Sequence, residues 1–196
     1  MRIGIKVTVP CLLLFAACGQ QDAPVADVSE PSVGVTSEFE WVSQGTPAGE
    51  STVVRTGDGK VAVKSFVHWN NREYTVDSEL QLSAEGMPIA QRITGISPFQ
   101  APIDEMFSYE DGVASWSTAG ENGSVTTNNP GFYLATEYAA LGLTELVRAA
   151  LKSMDNEIAL LPSGTARVER LTSANVDTPD GPKPLSLYAV FGLSLT

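Results

Sequence analysis

Sulfur, imidazole and positive charge are all scarce in this chain. Its 196 residues hold two cysteines, Cys11 and Cys18, and a single histidine, His68. Both cysteines sit near the start, so the remainder of the chain has no thiol and can form no disulfide within itself. One histidine excludes a His-x-His pair and a His-Glu-x-x-His helix. With no cysteine pair to help, a conventional zinc centre cannot be assembled from these residues, and no metal or other cofactor is expected to bind. A Ser-His-Asp triad would have to use His68 itself, and no Gly-x-Ser-x-Gly elbow accompanies it. Between Phe66 and Trp69 in a strand-like run, His68 reads as a structural or surface residue. Basic residues number 12 against 23 acidic ones, for a net charge of −11. Nucleic acid is therefore excluded as a partner, because binding it relies on Lys and Arg neutralising phosphates. Acidity of this kind keeps a protein soluble.

What the sequence does contain begins with a leader. Arg2 and Lys6 form a basic start, and Val7 to Ala17 is an apolar segment well short of the ~20 residues a membrane-spanning helix needs. Residues 1–17 read as a signal peptide. Phe15-Ala16-Ala17-Cys18 has the small residue before cysteine that a bacterial lipoprotein signal uses; an ordinary secretory signal cut after Ala17 or near Gly19 is the alternative. In the lipoprotein reading Cys18 is acylated, and several acyl chains at ~0.8 kcal/mol per buried CH₂ make a durable membrane anchor. Gly19 after the cysteine, in place of aspartate, favours the outer membrane of a Gram-negative envelope, with the chain on the periplasmic side. Residues 18–37 are polar, acidic and proline-containing, with only small apolar side chains, and are expected to form a flexible tether.

Residues 38–196 suffice for one domain with a real core. Arg72 to Glu85 alternates: Tyr74, Val76, Leu80, Leu82 and Ala84 share one face, and Glu73, Thr75, Asp77, Glu79, Gln81, Ser83 and Glu85 the other. Gly57-Asp58-Gly59-Lys60 lies between two β-rich runs and predicts a hairpin turn; Asn70-Asn71 and Glu85-Gly86-Met87-Pro88 predict the next reversals. Further strands are expected at Ile89 to Ile96, Ile103 to Tyr109, Val113 to Thr118, Thr165 to Thr172 and Leu185 to Leu195. Helices are expected around 130–155. One is capped by Asn129-Pro130 and runs through Tyr133, Leu134, Tyr138 and Leu141 to Gly142. A second carries the stripe Leu143, Leu146, Val147, Ala150, Leu151 and Met154, with Glu145 in its first turn. The expected fold is mainly β (α+β): a curved antiparallel meander sheet or half-barrel with a helical insertion packed on one face.

No catalytic constellation emerges. Asp77 and Glu79 share the polar face of a strand, which reads as solvated surface and not as a glycosidase acid and nucleophile. Asp104-Glu105 and Glu110-Asp111 are the other carboxylate pairs. Gly120-Glu121-Asn122-Gly123-Ser124 is a loop without the strand, lysine and helix of a phosphate cradle. Trp41, Trp69, Trp116 and Phe107 fall in predicted strands. They either pack the core or line an apolar ligand face on the concave side of the sheet, since such pockets are mostly hydrophobic with few polar groups.

Several segments together carry a family resemblance: Gly86-Met87-Pro88, Gly95-Ile96-Ser97-Pro98-Phe99, Ile103-Asp104-Glu105-Met106-Phe107, Ala114-Ser115-Trp116-Ser117, Ala140-Leu141, Leu161-Pro162-Ser163-Gly164 and Leu187-Tyr188-Ala189-Val190-Phe191-Gly192-Leu193. Over most of Phe39 to Leu195 the chain resembles the N-terminal region of bacterial amidohydrolase-family secreted or lipoproteins. The resemblance implies a non-catalytic portion of an envelope hydrolase whose metal-dependent barrel, with its divalent metal, lies further along the chain. None of that barrel's metal ligands has a counterpart here. The meander also resembles the half-barrels of periplasmic lipoprotein carriers, which implies instead a freestanding lipoprotein that binds a lipid-like or other apolar ligand.

Overall fold

A computed structural model describes residues 34–69, 71–128, 130–135, 139–178 and 181–193. Among them the chain is mainly β, with one α-helix. Eight strands follow one another in chain order across an antiparallel sheet: β1 (Val35–Ser43), β2 (Thr46–Arg55), β3 (Lys60–Trp69), β4 (Arg72–Leu82), β5 (Pro88–Ile96), β6 (Pro102–Glu110), β7 (Val113–Ser117) and β8 (Asn122–Thr126). This is the meander expected of strands separated only by tight turns. The rest of the chain builds a four-stranded sheet in the order β12-β11-β10-β9, from β9 (Phe132–Tyr133), β10 (Glu157–Leu161), β11 (Thr165–Thr178) and β12 (Gly181–Phe191). β9 and β10 are parallel. A parallel pair needs a crossover, and α1 (Ala139–Ala150) supplies it.

Turn chemistry sets the large sheet's register. Between β2 and β3 the Thr56 hydroxyl donates to the Asp58 carboxylate, which holds that carboxyl below its ordinary range. Gly59 then takes φ +84°, where a Cβ would lie 2.6 Å from the Leu82 carbonyl oxygen, so glycine is required. From these turns the period-two alternation runs across the strands in aligned rows. One row is Arg55, Val61, Leu80, Gln91, Phe107 and Trp116; the next is Val53, Val63, Ser78, Ile93 and Glu105. These rows form the inner face. Asp77, Glu79, Arg92 and Asp104 occupy the outer face and are exposed, as the alternation in β4 predicts.

Three apolar clusters hold the fold. Val76, Ile93, Ile103, Phe107 and Ala114 pack on the inner face against Tyr133, Ala135 and Leu161. Leu146, Ala149 and Ala150 of α1 pack against Phe132, Ile158, Ala166 and Val168 of the smaller sheet. Val53, Val61, Val63 and Leu80 form a third group on β2 to β4. At roughly 25 cal/mol per Å² of apolar surface removed from water, each cluster contributes several kcal/mol before entropy is subtracted.

Several expectations are corrected. The two expected helices are one. Phe132 and Tyr133 form β9, paired with Leu160 and Leu161, because both side chains are almost wholly buried between the sheets and tertiary packing overrides the Asn-Pro cap signal. Gly142 lies inside α1 and does not close a helix. The helix ends at Ala150, leaving Leu151 and Met154 exposed, and Glu145 lies beyond its first turn. Gly120–Ser124 is not wholly a loop, since Asn122 begins β8. β10 was not foreseen. The last residues assigned to the tether belong to β1, which starts at Val35. The leader and Cys18 lie outside the described residues. No helix among the described residues is long and apolar enough to cross a membrane.

Candidate functional site

The inner face of the large sheet is treated differently along its length. Over β6 to β8 it is filled. Phe107 stacks on Tyr133 with ring centroids 4.6 Å apart and planes 4° apart. Trp116 lies 6.4 Å from the same ring. Gly123 makes room for that indole: a Cβ there would sit 2.2 Å from Trp116 Cζ2. The Tyr133 hydroxyl donates to Glu105 Oε1 at 2.5 Å, giving the buried carboxylate a strong partner. Burial, and then the Glu105 carboxylate, push the Tyr133 phenol well above its ordinary range.

Over β2 to β5 the same face is hollow. A cavity of about 310 Å³ lies between the sheet and the N-terminal half of α1. Val53, Val61, Val63, Val76 and Leu80 give it an aliphatic floor, Trp41 walls one side, and Gly142 and Thr144 roof it. The exposed Phe39 and Glu40 of the edge strand β1 border it. Two polar devices fix its shape. Trp41 Nε1–H donates to Ser51 Oγ at 2.7 Å, and Ser51 shares a 2.6 Å hydrogen bond with Ser65, so the indole is held in place on the sheet. Arg55 donates from Nε and Nη2 to Glu145 Oε1 at 3.0 and 2.6 Å, tying α1 to β2. Both partners are largely withdrawn from water, so each compensates a charge the other could not carry alone in that environment.

Of the aromatic residues singled out from sequence, Trp41 lines the cavity. Phe107 and Trp116 share its face but are absorbed in packing around Tyr133. For Trp69 only the backbone register, opposite Arg72, is described. His68 is exposed, 3.6 Å from Glu73. Asp77 and Glu79 are exposed too, Asp77 at 3.8 Å from Lys64. Among the described residues no three His, Cys, Asp or Glu side chains come together as a metal-binding group. Sequence reasoning gave no site role to Arg55, Gln91, Glu105 or Glu145. The first three carried a signal: each occupies the apolar phase of an alternating strand, between residues such as Ile89 and Ile93 or Ile103 and Phe107. Glu145 carried none.

No family model matches this chain, and no curated protein or solved structure matches it either.

Proposed function

We propose that this protein is a periplasmic lipoprotein, exported by residues 1–17 and anchored through acylated Cys18, whose curved sheet forms a half-barrel that binds an apolar small molecule. The observation that carries the reading is the cavity between β2–β5 and α1. A ~300 Å³ pocket with hydrocarbon walls and few polar groups has the size and character of a small-ligand site, whereas a core of ordinary density leaves few voids larger than a water molecule. The acidic surface keeps the folded part soluble beside its membrane. The test is titration of the purified protein with phenylnaphthylamine, whose fluorescence rises in apolar surroundings, together with solvent extraction and mass spectrometry of the protein as isolated. Saturable enhancement at one probe per chain is expected. A linear, unsaturable response together with a clean extract would refute the reading.

A second reading takes the chain as the non-catalytic N-terminal portion of an amidohydrolase-like envelope enzyme. One separate observation favours it. Tyr188 and Val190 of β12 face the core, so Leu185, Leu187 and Phe191 alternate onto the opposite side, where all three are exposed. An apolar row of this kind suits packing against a further domain. A gene whose reading frame ends at the codon for Thr196 would remove this reading.

A further inference from the structure

Resting on the ligand-binding reading, we infer that the cavity selects a neutral amphiphile, an apolar body bearing one uncharged hydrogen-bonding group, and discriminates against the corresponding carboxylate. Gln91 is the first reason. It stands on the inner face in the row Arg55, Val61, Leu80, Gln91 and contributes to the cavity wall. Its Oε1 is buried without a hydrogen-bond partner. Turning the carboxamide over would only exchange the acceptor for an N–H donor at the same spot. Either way a buried polar group there goes unmatched by protein; with its carboxamide turned toward the cavity, a ligand hydroxyl or amide could satisfy it where hydrocarbon could not.

Charge is the second reason. Among the described residues Arg55 is the sole cation on the cavity lining, beside two carboxylates, Glu40 and Glu145. Two of its three nitrogens, Nε and Nη2, donate to one oxygen of Glu145, which balances its charge. A ligand carboxylate at Gln91 would leave water with no unbalanced cation on the lining to receive it, since Glu145 already pairs with Arg55, and this raises its cost of entry. Gln91 lies three strands from Arg55, roughly 14 Å away at the usual strand spacing. A ligand whose polar group meets Gln91 therefore lies over Leu80, with Val61 between its far end and the ion pair.

Competition against bound phenylnaphthylamine by naphthalene, naphthol and naphthoate tests this, because the three share one ring system. Naphthol is expected to displace the probe at roughly one-fifth of the naphthalene concentration, and naphthoate at mildly alkaline pH to need roughly tenfold more than naphthol. In Gln91→Leu, which removes the unmatched group and so should fold at least as well, the naphthol advantage is expected to vanish while naphthalene binds as before or better. Equal displacement by naphthol and naphthalene, an advantage that survives Gln91→Leu, or naphthoate binding as tightly as naphthol would each overturn the selectivity and leave the apolar site standing. Failure of the probe and of all three compounds to bind would instead overturn the site itself, and the selectivity with it.

Discussion

The two ends of one sheet face solve the same problem in opposite ways. Both present alternating apolar residues that must leave water. Over β6–β8 the chain covers them with its own aromatic residues, stacking Phe107 on Tyr133 and seating Trp116 over Gly123. Over β2–β5 the covering helix makes its tie through Arg55 and Glu145 and leaves about 310 Å³ between itself and the valine floor. Valines, Leu80 and serines floor the hollow end, with Trp41 at one wall, whereas large rings fill the solid end. Where volume is supplied by the chain the face is solid; where it is withheld, the face is hollow.

The largest effect should come from emptying the solid half. Phe107→Ala removes a ring that is 3% exposed and should cost about 3–5 kcal/mol, measured by urea denaturation. A loss under 1 kcal/mol would mean that half is as loosely filled as the other. Next, Arg55→Met leaves Glu145 buried without its cation and should lower stability by about 2 kcal/mol; an unchanged midpoint would show that the ion pair does not hold the helix to the sheet.

A pH effect separates the halves further. Because the Tyr133 phenol is raised in the folded state, its contribution is intact below the unfolded value of about 10 and is lost as pH climbs above it, at up to roughly 1.4 kcal/mol per pH unit. Tyr133→Phe should flatten that alkaline slope in denaturation curves. Equal slopes in the two proteins would argue that the phenol ionises as freely folded as unfolded.

On the hollow side, Val63→Phe places a ring in the cavity. It should weaken phenylnaphthylamine binding by roughly tenfold, about 1.4 kcal/mol, with native circular dichroism; unchanged affinity would place the probe elsewhere. Smallest is Trp41→Phe, which gives up the indole hydrogen bond to Ser51 at about 1 kcal/mol or less and changes affinity a few-fold at most. A complete loss of binding would make Trp41 the main anchor of the ligand and not a wall.

The meander was legible because its signals are local. The alternation from Arg72 and the Gly57-Asp58-Gly59 turn each depend on residues a few positions apart, and they reappear in β4 and the β2–β3 hairpin. The site was legible only in part. Trp41 was marked by its type, yet so were Phe107 and Trp116, and nothing in their neighbourhoods tells which ring will meet Tyr133. Arg55, Gln91 and Glu105 went unrecognised although each is a polar residue in an apolar phase, a pattern that says a partner is needed without saying whether protein or ligand provides it. The Asn129-Pro130 signal misled because two buried side chains, Phe132 and Tyr133, gain more as a strand between sheets than as a helix.

Strand alternation, turn positions and the poverty in histidine, cysteine and positive charge belong to the linear chain, since each follows from residue type and short spacing. The pairing of Arg55 with Glu145, ninety positions apart, and the division of one face into a packed end and a hollow one arise only on folding. Volume and charge balance are properties of side chains brought together from distant segments, and no local pattern encodes how completely they will fill the space between them.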